Sequence, residues 1–124
     1  MASEFKINAE AGAVYSKFSG EVGLADVQNH RKRVLGDPLY HPGLVHLFDA
    51  RSAQFKSTGE ESRMSAKWYA ANRPFSKVAI VIGPENQGLN RMYLGWLQEE
   101  VETVKIFHDM ASAREFLDLP LEEA

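Results

Sequence analysis

The chain has 124 residues, no cysteine and a formal net charge of −3. That length suits one domain over residues 1–124, able to bury about two-thirds of its unfolded surface without staples. The lack of thiols excludes a disulfide framework, a zinc-thiolate site and cysteine chemistry, and the acidic balance argues against nucleic-acid binding.

The N-terminal stretch carries Glu4 and no apolar segment of leader length, and no apolar run is long enough to span a bilayer. A soluble, cytoplasmic protein with no transmembrane segment is expected. Glu4–Asn8 alternates, with Phe5 and Ile7 on one side, and Val14–Phe18 forms a second short run. Ala9–Gly12 between them predicts an antiparallel edge hairpin, and Ser19-Gly20 is expected to end its second strand. A first helix is predicted over Leu24–Leu35. Leu24, Val27, Val34 and Leu35 share a face, Asp26 sits in the first turn, and Gly36 and Pro38 stop it. Its basic triplet Arg31-Lys32-Arg33 reads as a solvated face.

Pro42-Gly43 turns the chain into a strand over Leu44–Asp49, where His46 reads as a packed, hydrogen-bonded core residue. Asp49 is placed at the strand's end, with Ala50–Gly59 as a loop. A second helix runs from Glu60 to Asn72, with Met64, Trp68 and Ala71 as its expected inner stripe. Arg73-Pro74 closes it. Lys77–Gly83, KVAIVIG, holds five consecutive apolar residues rich in β-branched side chains. It reads as a strand buried on both faces of a largely parallel sheet. After a Gly83–Gly88 loop, Leu89, Met92, Tyr93, Trp96 and Leu97 fall at helical spacing. Val104–Phe107 is a last strand. Asp109 caps a last helix with Met110, Ala113, Phe116 and Leu117 inward, and Leu119–Ala124 is a tail.

The order β-β-α-β-α-β-α-β-α predicts an α/β fold. Its single open sheet has five mostly parallel strands, an antiparallel N-terminal edge hairpin and four helices. Ligands of such sheets meet the carboxyl ends of the strands. That rule singles out Asp49, Arg51, Ser57, Thr58, Asn86 and His108 as partner- or ligand-binding candidates. Asp49 there reads as a carboxylate ordering its own loop, not as a base. The Gly83–Gly88 segment lacks the spacing of a phosphate-binding loop, and the four histidines have no metal-ligand grouping. No cofactor or metal is expected. Trp68 and Tyr69, adjacent on a helix, cannot both face the core, which marks them as a candidate self-association surface.

Phe55-Lys56-Ser57-Thr58-Gly59, following the Asp-ended strand LVHLFD, resembles a segment of the STAS-like, or SpoIIAA-like, domains. The likeness extends through GDPLYHPGLVHLFDAR and the KVAIVIG strand to small stand-alone bacterial SpoIIAA-like proteins. It implies the fold above and a protein partner. It makes Ser57 the candidate phosphoacceptor and Gly59 the tight turn beside the helix, although Lys56 stands where the family has Asp. The expected function is a small non-enzymatic regulatory or protein-interaction domain, with a homodimer among its assemblies. The alternative is an apolar-ligand or lipid binder with a cavity bordered by Trp68, Tyr69, Met92 or Trp96. An enzyme would need Asp49 or His108 paired with a second titratable group in a cleft.

Overall fold

The computed structural model describes residues 2–56, 59–83 and 103–120. The helix expected around Leu89–Leu97 lies outside the described residues, as do the loop from residue 84 to 88, Ser57, Thr58 and the tail beyond residue 120. The strands are β1 (Ala2–Asn8), β2 (Ala13–Val22), β3 (Val45–Phe55), β4 (Lys77–Ile82) and β5 (Val104–Phe107). The described helices are α1 (Leu24–Leu35), α2 (Gly59–Asn72) and α3 (Met110–Phe116).

The strands lie in the order β1-β2-β3-β4-β5, with β1 antiparallel to β2 and every later pair parallel. Gly12 closes the β1–β2 hairpin at φ +65°, a left-handed conformation that glycine adopts without steric cost. Both β2–α1–β3 and β3–α2–β4 step the same way across the sheet. Right-handed crossovers therefore place α1 and α2 on one face. Val34 of α1 and Ala66 and Tyr69 of α2 pack there with Val14, Val78 and Val104. The chain after β5 returns across the opposite, outer face, where Ala113 and Leu117 bury Leu47, Ala79 and Val81. Strand β4 is thus covered on both sides, which explains its unbroken apolar run.

α1 begins where its sequence signals it. The Gly23 amide donates to the Asp26 carboxylate at 2.8 Å, and the Gly36 amide donates to the Lys32 carbonyl at 3.0 Å. Asp109 caps α3, accepting from the Ser112 amide at 2.7 Å.

Three expectations need correction. First, β2 does not stop at Ser19-Gly20; Gly20 takes φ +76° inside the strand, and pairing continues to Val22. Second, β3 does not stop at Asp49. It runs to Phe55 through a bulge: between Lys17↔Asp49 and Ser19↔Ser52, β2 advances two residues and β3 three. The extra residue lets Ala50 and Ala53 both enter the cluster of Phe18 and Val22, while Arg51 and Ser52 are exposed. Third, the inner stripe of α2 is Ser62, Ser65, Ala66 and Tyr69. Met64 is 60% exposed, Ala71 is exposed and Trp68 is half-buried.

Candidate functional site

Alternation along β1–β3 sends two rows of side chains to the outer face. The first row, in register, is Glu4–Lys17–Asp49, and the second is Lys6–Tyr15–Leu47. Farther along, these rows continue into Val81 and Ala79 of β4, both fully buried, beside α3. α3 has only seven residues and packs on β4 and β5. Over β1–β3 the two rows instead line an open groove of about 370 Å³, walled on one side by Met110 and Arg114 of α3.

The charges alternate across the rows. Lys17 lies opposite Glu4 on one side and Asp49 on the other; opposite charges in register attract. Lys6 stands over the Tyr15 ring, 5.8 Å from its centroid, and the Arg114 guanidinium approaches the same ring at 5.5 Å. Asp49 is gripped by Arg51. The Arg51 amide donates at 3.1 Å, and Nε and Nη2 each donate at 3.0 Å in a fork. Burial alone would push the Asp49 carboxyl up. The Arg51 hydrogen bonds and charge, with Lys17 nearby, outweigh it and hold the carboxyl below its usual range. Such a carboxylate stays ionised at neutral pH and is poorly suited to taking a proton there.

Asp49 and Arg51 are therefore neighbours, but in the body of the sheet and not at its carboxyl edge. His108 is exposed beyond β5, at the far edge. Ser57, Thr58 and Asn86 lie outside the described residues. Of the aromatic pair, Tyr69 is 8% exposed and belongs to the core, so it is unavailable as a contact surface. Trp68 carries the Arg31 guanidinium 4.0 Å from its ring centroid, which also takes Arg31 out of the solvated basic face.

A second polar cluster lies under the inner face. Ser16 Oγ is 2.8 Å from His30 Nε2 of α1 and 2.7 Å from His46 Nε2 of β3, and all three residues are buried. Arg33 Nη2 lies 3.3 Å from His30 Nδ1. A guanidinium can only donate, so Nδ1 accepts. His30 Nε2–H then donates to Ser16, and the Ser16 hydroxyl donates to His46 Nε2. Phe5, Phe18, Phe48 and Phe75 stack around the two imidazoles. Burial lowers the His30 pKa to about 4, with the Arg33 charge adding to the effect. Burial, with a smaller push from His30, lowers that of His46 to about 3. Both rings are neutral at pH 7. The cluster lies on the opposite face of the sheet from the two charged rows, and it ties α1 to β2 and β3.

Sequence reasoning had His46 as a packed core residue but missed Ser16 and His30. It also missed Glu4, Lys6, Tyr15, Lys17 and Arg114, which line the groove. The alternation of E-F-K-I-N and V-Y-S-K-F was the available signal, since it already put Glu4, Lys6, Tyr15 and Lys17 on one side. Among the described residues no group of three or more His, Asp or Glu side chains could hold a metal, and no helix is long and apolar enough to cross a membrane.

The fold has a counterpart among solved structures. The chain aligns with an uncharacterised protein of the DUF3478 family from Shewanella loihica PV-4, whose crystal structure is described as having a SpoIIAA-like fold. The TM-score is 0.58 at 18% identity, over 94% of this chain and 92% of that one. No family model and no curated protein matches the chain. The chain therefore has the SpoIIAA-like fold.

Proposed function

We propose that the chain is a non-enzymatic protein-interaction module that docks a partner on the outer face of β1–β3. The observation that carries this reading is the pair of in-register rows Glu4–Lys17–Asp49 and Lys6–Tyr15–Leu47, which line an open groove beside α3. A strand face of alternating charge with an aromatic and a leucine between is suited to a protein surface. Five charged side chains, Glu4, Lys6, Lys17, Asp49 and Arg114, line it, which favours a partner carrying polar groups over a lipid tail. The partner binding implied by the resemblance to STAS-like domains agrees with this reading.

A charge swap tests it. Because Glu4 and Lys17 face each other, Glu4→Lys combined with Lys17→Glu keeps the attraction between positions 4 and 17 and the net charge, at the cost of a like-charge pairing of position 17 with Asp49, while inverting the pattern a partner meets. The purified chain and the swapped variant, the latter shown by a thermal melt to be folded at the assay temperature, are used as bait in a lysate of the source cells. Specific proteins retained by the wild type and lost by the swap support the proposal. A retained set that ignores the swap removes the groove from consideration.

A further inference from the structure

Arg114 is 6% exposed, yet none of the described ion pairs includes it; those join Arg51 to Asp49, Lys56 to Glu21 and Lys77 to Asp118. One N–H of its guanidinium donates to the Pro120 carbonyl at 3.1 Å, and its charge lies near the face of Tyr15. A guanidinium has five N–H donors, and neither a carbonyl nor a ring supplies a formal counter-charge. A cation withdrawn from water without an anion is unfavourable unless something completes its shell. Arg114 lines the groove, so the completing group can arrive from there.

The rest of the groove points the same way. Its cations are Lys6, Lys17 and Arg114, and its acids are Glu4 and Asp49. Arg51 already neutralises Asp49 through its fork. Even with Lys6 left out of the count, Lys17 and Arg114 then face Glu4 alone, so the groove is locally positive in a chain of net charge −3. Glu4, which also lines the groove, opposes a dianion such as phosphate more than a single carboxylate, whose planar shape also matches the guanidinium fork. The two rows are two residues apart along the strands, about 6.6 Å, the repeat of alternate side chains in an extended peptide. Leu47 and Met110 offer apolar contact between the charged positions.

We infer that the groove seats the carboxylate of an acidic, extended segment of a partner protein against Arg114, with Lys17 at the rim as a secondary contact. This rests on the docking reading above and names the chemistry of its partner. The test is an NMR titration of the full, ¹⁵N-labelled chain with the blocked peptide Ac-Glu-Leu-Glu-Leu-Glu-NH2, with its all-Gln counterpart, and with sodium acetate. The expected result is a saturable shift of the Tyr15, Leu47 and Arg114 amides by the Glu peptide, at least tenfold tighter than by the Gln peptide. Arg114→Gln should abolish it. Should that variant fail to fold, the exposed Lys17→Gln should weaken binding about threefold. Equal affinity for the Glu and Gln peptides would overturn the carboxylate inference and leave groove docking standing. Acetate binding as tightly as the peptide would overturn the peptide source in favour of a free small carboxylate. If neither peptide moves the groove amides, the inference fails, and the charge-swap retention experiment decides the docking reading on its own.

Discussion

Lowering the pH from 7 to 5 should strip the domain of a large part of its stability, through His30 and His46. Both imidazoles are neutral and buried around Ser16, with pKa values lowered from 6.5 to about 4 and about 3. In the unfolded chain they take up protons below pH 6.5, and in the folded chain they do not. The unfolded state therefore binds more protons, and stability must fall as the pH drops from 6.5 toward the folded values. At pH 5 both folded values are low enough that the loss is set by the unfolded value. Each histidine then contributes a loss of about 2 kcal/mol between pH 7 and 5, and the pair about 4 kcal/mol. A domain of this size has roughly 5–15 kcal/mol in total. The depressed Asp49 and Asp109 carboxyls act in a different window. Their stabilisation is present above about pH 4 and is lost only as the pH falls through their lower folded values. Urea unfolding at intervals between pH 7 and 5 reads the effect directly. The slope should approach about 2.7 kcal/mol per pH unit, two protons' worth, and His46→Phe should halve it. A flat profile over this range, or one that His46→Phe leaves unchanged, would refute the reasoning.

Ser16→Ala removes the hydroxyl that both imidazoles use and leaves a buried donor and a buried acceptor unmatched; chemical denaturation should show a loss of about 2–4 kcal/mol. Gly83→Ala places a Cβ 2.6 Å from the Arg51 carbonyl oxygen, a backbone atom that cannot swing away, so the melting temperature should drop by the equivalent of about 1–3 kcal/mol. Met64→Lys alters an exposed position of α2 and should change stability by no more than about 0.5 kcal/mol; a large loss in a thermal melt would show that the side chain is packed. Asp49→Asn breaks the fork to a half-exposed Arg51 and should cost about 1 kcal/mol at pH 7. That difference from wild type should shrink on urea unfolding at pH 3, where the native carboxylate is itself losing its advantage.

The elements that could be read from the sequence are those in which one local signal acts alone. α1 carries an acid in its first turn and a glycine after its last apolar pair, and its predicted bounds match the observed ones. β4 announces burial on both faces by its composition, and Asp109 caps α3 as its position implies. The continuation of β3 past Asp49 was hidden because a bulge breaks the alternation: Ala50 and Ala53 face the same cluster three residues apart. The stripe of α2 was hidden because Ser62 and Ser65 occupy buried positions while Met64 does not. His30 sits within Asn29-His30-Arg31-Lys32-Arg33, a segment that reads as solvated, and only the sheet beneath it reveals Ser16 as its partner. The groove was hidden for a related reason. Glu4, Lys6 and Lys17 look like ordinary solvent-facing strand residues until the register puts them beside Asp49 and α3 leaves them uncovered.

The central claim is that the outer face of β1–β3 is the docking surface. Its most direct measurement is photo-crosslinking in living cells with p-benzoylphenylalanine placed at exposed Lys17, compared with the same group at exposed Asn29 on α1. The account predicts a discrete crosslinked species from position 17 that is absent from position 29, its mass identifying either a different partner or a second copy of the chain. Crosslinks of equal yield from both positions, or from Asn29 alone, would contradict it.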